Sequence, residues 1–200
     1  MLYIIELCAV AVCAISGVLE AGRKKVDLFG VVVVALVAAL GGGTLRDLLL
    51  GAPIFWIADQ TYLYAAIAAG LLTFLAARYL RLPRDIFVLP DAAGLALFAV
   101  LGTEKALDLG APWLVASLMG VITGVFGGVL RDVLCNEVPL VFTGELYATA
   151  AWSGALLFVL LAALGVEPAP ASAAGIGLIF VARVAAYRWK IGLPRYSSKR

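Results

Sequence analysis

The sequence predicts an all-α integral membrane protein with seven transmembrane helices, arranged as a 3+3 inverted-topology repeat plus one extra helix. Three observations predict this fold. Of the 200 residues, 64% are hydrophobic and only 14% are charged, whereas a soluble domain carries about 25% charged residues. Seven apolar segments each approach the ~20 residues that cross a bilayer. A Gly-Gly-x-Leu-Arg-Asp motif occurs twice, 85 residues apart.

The apolar segments are continuous and rich in Ala, Leu, Val and Gly, without the alternation that is typical of membrane β-strands. We therefore predict helical spans at 2–19, 28–50, 60–79, 87–106, 112–134, 145–165 and 170–188. The first span contains Glu6 and is not preceded by basic residues. It is therefore not expected to be a cleaved signal peptide.

Basic residues are concentrated in alternate connections of the predicted helices. Twelve of the 15 lie after the first, third and fifth spans or in the C-terminal tail. Because cytoplasmic loops are enriched in Lys and Arg, the pattern orients a multi-pass protein of the cell membrane. Its N-terminus is expected outside and its C-terminus in the cytoplasm. The basic tail is suited to contact anionic membrane lipid.

Shifting the sequence by 85 residues aligns more than the motif itself. Between 42–49 and 127–134 six of eight positions are identical. Glu6 then aligns with Asp91, and further aligned pairs are Gly17 with Gly102 and Tyr62 with Tyr147. The unit therefore contains three helices, and an odd number inverts the second copy in the membrane. We divide the chain into a first repeat (1–84), an inverted second repeat (85–166), and a seventh helix with its basic tail (167–200).

Glycine clusters interrupt the second and fifth spans at membrane depth. Clustered glycines weaken a helix and allow a kink, and broken backbone in a membrane must be buried or line a wet cavity. Carbonyl groups freed there can bind a cation. The alternative is that these glycines only let helices pack closely. Their symmetric placement favours a functional kink, and the candidate residues are Gly41, Gly42, Gly43, Gly127 and Gly128.

Two arginines, Arg46 and Arg131, follow the glycines and need partners within the membrane. Asp47 and Asp132 are adjacent to them in sequence. Neighbouring residues point about 100° apart on a helix, so these aspartates are expected to be poor partners for their own arginines.

The repeat offers acidic partners for both arginines. Glu6 is expected at the same membrane side as Arg46, and Asp91 at the same side as Arg131. We therefore predict the ion pairs Glu6–Arg46 and Asp91–Arg131. An alternative for Asp91 is a helix N-cap after Pro90.

Lys105 breaks the symmetry of the repeat, because its aligned residue is Glu20. A basic residue at the outer end of the fourth span would oppose cation entry and respond to voltage, since one charge moving through 100 mV is worth ~2.3 kcal/mol. Lys105 is therefore the gating candidate. The alternative is an interfacial lysine that pairs with Glu104 or Asp108.

Several classes of function have no support in the sequence. The chain has no histidine, which removes an imidazole proton relay and an HExxH zinc site. Nucleophile–base sets, phosphate loops and redox motifs are also missing from the sequence. We predict no enzyme, no cofactor, no resident metal and no nucleic-acid partner.

The motif GGGTLRDLLLG at 41–51, with FGGVLRDVLCNEVPLVF at 126–142, resembles the bacterial and archaeal TRIC (trimeric intracellular cation) channel family. The resemblance covers about residues 1–190. It implies a seven-helix protomer with its own pore, three of which form a homotrimer, and passage of potassium chiefly and also of sodium. It places the pore along the second and fifth helices, with kinks at their glycines.

The family resemblance also bears on gating and on lipid. The lysine of the fourth helix, which acts as a voltage-responsive blocker in animal members, matches Lys105. Animal members have the order Lys-Glu-Val there, whereas this chain has Glu104-Lys105-Ala106. Animal members also bind a phosphoinositide, for which a bacterial membrane would substitute another lipid.

Two other functions remain open from the sequence. The same family carries a suggested glycine-transporter label, and inverted repeats with broken helices are typical of alternating-access carriers. The chain is then a secondary transporter for a small, glycine-like solute. Alternatively, it is a structural membrane protein whose glycines serve only for packing. Half-helix N-termini that face a carboxylate would favour the carrier, and a wet polar path would favour the channel.

Overall fold

The computed structural model describes residues 2–24, 26–80 and 83–194. Eight α-helices occupy these ranges: α1 (Leu2–Ala21), α2 (Leu28–Leu49), α3 (Phe55–Ala58), α4 (Thr61–Tyr79), α5 (Val88–Asp108), α6 (Trp113–Leu134), α7 (Ala148–Ala163) and α8 (Pro168–Trp189). Some basic residues used to predict orientation, Lys25, Arg81 and those within 195–200, lie outside the described residues.

Six of these helices are long and apolar enough to cross a membrane, and α7 is a shorter apolar helix of 16 residues. The single turn α3 precedes α4. The predicted all-α membrane fold is confirmed, and each predicted span ends within three residues of its helix. The largest difference is at α7, which begins three residues after the predicted start at 145, where Glu145 forms a β-bridge with Gly192.

Helix ends are set by residues in the left-handed conformation. Gly51 follows α2 with φ 64°, and Ala52 N–H donates back to the Asp47 carbonyl at 2.9 Å, which is a Schellman cap. The same cap follows α6, where Asn136 has φ 53°. Asn136 is the repeat equivalent of Gly51, and asparagine tolerates this conformation better than most side chains. The two copies therefore turn in the same way after the Arg-Asp motif.

The hydrophobic core divides into two clusters. One joins α1, α2 and α4 and also includes Phe98 and Leu101 of α5. The other joins α5 to α8 and includes Leu95, Ala151 and Ile179. α5 lies at the centre and packs against α1, α6, α7 and α8. The limits of the three predicted domains (1–84, 85–166 and 167–200) stay predictions.

The helix directions define two faces of the molecule. We call the N-terminal face the one with the start of α1, the ends of α2 and α5 and the start of α8. The C-terminal face carries the ends of α1, α6 and α8. Because α2 ends at one face and α6 at the other, the two motif helices are antiparallel, as the inverted repeat predicts.

Candidate functional site

Each motif arginine is bound by the aspartate that follows it. Arg46 Nε lies 2.8 Å from Asp47 Oδ1, and Arg131 Nε lies 2.8 Å from Asp132 Oδ1. The prediction that these aspartates are poor partners is therefore wrong. A helix offset of 100° separates the side-chain stems, but the long guanidinium side chain folds sideways and reaches the carboxylate through Nε.

The second oxygen of each aspartate binds the chain beyond its helix. Asp47 Oδ2 accepts from the Phe55 backbone N–H at 2.9 Å, and Asp132 Oδ2 accepts from Leu140 N–H at 3.0 Å. Phe55 and Leu140 are themselves 85 residues apart. Each Arg-Asp dipeptide thus connects the helix end to the segment that returns toward the membrane.

Arg131 also forms the ion pair predicted with Asp91. Its Nη1 lies 2.6 Å from Asp91 Oδ1 and donates to the Ser16 hydroxyl of α1 as well. Tyr147 of the α7 start donates to the same Asp91 oxygen at 3.2 Å. Asp91 lies inside α5 and the N-cap position is Phe87, so the N-cap alternative for Asp91 is wrong. Four elements meet at one buried guanidinium, which is only 2% exposed.

The equivalent pair in the first copy, Glu6–Arg46, does not form, and that prediction is wrong. Among the described side chains no ion pair within 4.0 Å joins them. Glu6 instead accepts from the Tyr62 hydroxyl at 2.5 Å. The Arg46 guanidinium lies 5.8 Å from the ring centre of Phe55, where the second copy has Leu140. The aromatic face of Phe55 gives Arg46 a cation–π contact, and Arg131 has a comparable one with Phe87, at 5.7 Å from the ring centre.

Lys105 crosses from α5 to the motif of α2. Its Nζ lies 2.8 Å from Asp47 Oδ1, so Asp47 binds two cations. The alternative partners considered for Lys105, Glu104 and Asp108, form no ion pair with it within 4.0 Å among the described residues. At the N-terminal face, Lys105 therefore belongs to the motif cluster and connects two helices.

The C-terminal face has the opposite charge at the corresponding place. Glu20, the repeat equivalent of Lys105, pairs with Arg23 at 2.8 Å. Beside it is a cavity of about 300 Å³ whose walls include Asp132 and Glu137. A hydrogen bond from Lys24 lowers the pKa of the exposed Glu137 carboxyl. Each carboxyl of this cavity has a cation partner, since Glu137 pairs with Lys24 and Asp132 with Arg131.

The glycines hold α2 and α6 at close contact. A Cβ on Gly42 would lie 2.0 Å from the Thr123 carbonyl oxygen, and one on Gly127 would lie 2.3 Å from the Ala38 oxygen. These contacts are reciprocal, because Ala38 aligns with Thr123 under the 85-residue shift. The two helices therefore cross on a pseudo-two-fold axis at backbone contact.

The glycines do not break their helices, and the kinks predicted there stay a prediction. Both α2 and α6 are α-helical without interruption across their glycines, and a continuous helix uses its own carbonyls for hydrogen bonds. The other glycines also meet neighbours: Gly41 faces Leu130, Gly43 the Phe55 ring, and Gly128 the Tyr147 hydroxyl. In this conformation the glycines allow close packing of their helices against neighbouring groups, which is the alternative role predicted for them.

Arg183 of α8 is a buried charge that sequence reasoning did not assign to the site. It is 1% exposed and pairs with Glu145 at 2.6 Å. Its guanidinium lies 4.8 Å from the ring centre of Tyr147, which in turn holds Asp91. The sequence signal for this residue is an arginine in the middle of an apolar span, which needs a partner within the membrane. Its partners could not be found from the repeat, because α8 has no counterpart there.

Replacing Arg183 by methionine is expected to destabilise the protein by about 2 kcal/mol, since it removes a desolvated cation–π contact and leaves Glu145 unpaired. Arg183→Lys should recover less than half, because lysine lacks the planar group that stacks on Tyr147. Thermal unfolding in detergent measures both variants. Arg188→Met, in the same helix but exposed, is the control, and equal stability of the two methionine variants would contradict the assignment.

The fold and this site define a class: a helical membrane protein of two inverted copies, with a buried Arg-Asp pair toward each end of a central helix crossing. A family model described as glycine transporter matches the chain twice, at residues 3–78 and 88–163. A TRIC trimeric intracellular cation channel orthologue from Rhodobacter sphaeroides has a TM-score of 0.90 and 38% identity, covering 95% of this chain and 98% of its own.

Two bacterial proteins are similar to this chain over nearly its whole length. A UPF0126 membrane protein of Vibrio cholerae is 45% identical over 98% of this chain and 83% of its own length. The UPF0126 inner membrane protein YadS of Escherichia coli is 41% identical over 98% and 97%. The chain belongs to the TRIC family, and the resemblance inferred from its motifs is confirmed.

Proposed function

We propose that this protein is a channel for monovalent cations, chiefly potassium and also sodium, with a path through each protomer beside α2 and α6. The observation that carries the proposal is the pair of buried Arg-Asp clusters at opposite ends of one antiparallel helix crossing. Charged groups inside membrane helices mark ion or substrate pathways. Solved structures of TRIC cation channels have a fold similar to that of this chain. No enzymatic role or cofactor is proposed.

The two ends of this path differ at one pair of equivalent positions. At the C-terminal face Glu20 lines a cavity together with Arg23, Asp132 and Glu137. The N-terminal face instead presents Lys105 at Asp47. The path is therefore asymmetric, and in this proposal Lys105 opposes cation entry at its N-terminal end.

The described conformation is closed at the Arg131 cluster. The space among Cys13, Asp91, Gly128 and Tyr147 measures about 10 Å³, which is about the space of one water. A continuous ion path requires the Arg131 or Tyr147 side chain to leave Asp91. In this proposal, the Asp91–Arg131 pair is the gate on the C-terminal side.

We also propose a membrane orientation and an oligomeric state. We place the N-terminus outside and the C-terminus in the cytoplasm of the inner membrane, because the basic residues lie mainly on the C-terminal face. A homotrimer follows from the trimeric description of the relative from Rhodobacter sphaeroides. Membrane lipid is the other expected partner.

Planar-bilayer recording of the purified protein tests this function. We expect unitary currents whose reversal potential shifts with the potassium–sodium gradient. The family description as glycine transporter favours the carrier alternative. Saturable glycine uptake into proteoliposomes without unitary current would replace the channel by that carrier.

Replacing Lys105 by glutamine is expected to raise the open probability severalfold and to weaken its dependence on voltage. The change removes a charge from the N-terminal entrance and breaks the bridge to Asp47. Current–voltage recordings measure the effect, and Lys24→Gln, at the opposite face, is the matched control. An unchanged current–voltage relation in Lys105→Gln would rule out Lys105 as the gating residue.

A further inference from the structure

A second cavity lies away from the α2–α6 crossing, between α1, α5 and α8. Its volume is about 360 Å³, within the range of small-molecule sites. The walls are almost wholly apolar and include Ile5 of α1, Leu97 and Leu101 of α5, and Ile176 of α8. Glu104 and Ser172 are the polar residues of this lining.

Glu104 is poorly satisfied by the described chain. Its side chain is buried, with the residue 7% exposed, and its hydrogen bond from Ser172 is long at 3.4 Å. No Lys or Arg nitrogen of the described residues lies within 4.0 Å of it, and the adjacent Lys105 is engaged by Asp47. A buried carboxylate without a cation is costly. The cavity wall therefore contains one acidic group that has no cation partner among the described residues.

We propose that this cavity binds an amphiphilic amine, a hydrocarbon chain that carries one ammonium group. The ammonium would pair with Glu104 and donate to Ser172, while the chain would lie against the apolar walls. Charge complementarity selects this ligand over a neutral hydrocarbon, which would leave the carboxylate unmatched. Glu104 is one turn from the end of α5 at Asp108, so the ammonium lies close to the membrane surface.

The site is placed to influence the motif cluster. Glu104 and Lys105 are consecutive on α5, one at the cavity and the other at Asp47. A ligand that fixes Glu104 therefore acts on the turn that holds the Lys105 bridge. Binding itself does not rest on the proposed ion conduction and can be measured without it.

The test uses purified full-length protein in an uncharged detergent, with decylammonium, a primary amine that is protonated at neutral pH, or decanol as probes. We expect the ammonium to raise the unfolding temperature saturably and decanol at equal concentration to have little effect. Glu104→Gln should weaken ammonium binding about tenfold or more, the loss expected for a hydrogen-bonded charge. Glu167→Gln, an exposed acidic residue beside the cavity, should bind as the wild type does.

A second variant separates binding from folding. Ala173→Phe fills the cavity and keeps Glu104, so it should lose ammonium binding while the unliganded protein stays folded. Native mass spectrometry should show one tightly retained ammonium per wild-type protomer. Equal stabilisation by decanol, or undiminished ammonium binding by Glu104→Gln, would overturn the proposal.

Discussion

Alanine at Gly42 is expected to force α2 and α6 apart and to destabilise the protein strongly. The new Cβ would lie 2.0 Å from the Thr123 carbonyl oxygen, a backbone atom that cannot move without its helix. Overpacking usually costs about 1–3 kcal/mol, and we expect the upper end of this range. Thermal unfolding in detergent measures the loss, and planar-bilayer recording should show altered or absent currents.

The symmetry-related residue Gly127 tests whether both glycines belong to the same helix crossing. Gly127→Ala meets the Ala38 oxygen at 2.3 Å, so its cost should be close to that of Gly42→Ala. The double variant should cost clearly less than the sum, because the first substitution already separates the helices. Strict additivity would show that the two glycines do not share one crossing.

Two other glycines serve as controls for this crossing. Gly177 of α8 has open space around a Cβ, and its replacement by alanine should be neutral or slightly stabilising, because glycine weakens helices. Gly41→Ala meets only the flexible end of Leu130, at 2.8 Å, and should cost little. If Gly41→Ala were as damaging as Gly42→Ala, helix flexibility and not close contact would be the role of this cluster.

The sequence predicts the membrane fold well because its signals are local or repeated. Apolar length alone places every span, and the 85-residue shift locates the antiparallel α2 and α6 and the Asp91–Arg131 pair. Prediction from the repeat fails where the two copies have diverged. Glu6 binds the Tyr62 hydroxyl and not Arg46, whereas its aligned residue Asp91 binds both Tyr147 and Arg131.

Contacts between distant elements were also beyond sequence reasoning. Lys105 pairs with Asp47 across 58 residues, and no local pattern distinguishes that partner from Glu104 or Asp108. Arg183 belongs to a helix that has no copy, so symmetry offered it no partner. The glycine clusters were ambiguous because a kink and a close crossing require the same residue. Only the position of the opposite backbone distinguishes these two roles.

Replacing Arg131 by methionine is expected to cost about 3–5 kcal/mol, the usual loss when one member of a buried ion pair is removed. The substitution leaves two carboxylates, Asp91 and Asp132, both 4% exposed, without their cation. The unfolding temperature should therefore fall further than for any other single substitution at the two motifs. Adding Asp91→Asn to Arg131→Met should restore part of the loss, because it removes one of the unpaired charges.

Arg46→Met tests the asymmetry between the two copies. Asp47 keeps Lys105 at 2.8 Å after this change, so the loss should be clearly smaller than for Arg131→Met. Combining Arg46→Met with Lys105→Gln removes both cations from Asp47 and should bring the loss to the level of Arg131→Met. A combined loss larger than the sum of the two single losses would show that Lys105 keeps the Asp47 carboxylate paired when Arg46 is removed. Equal effects of Arg46→Met and Arg131→Met would instead show that Lys105 does not stabilise the Asp47 carboxylate.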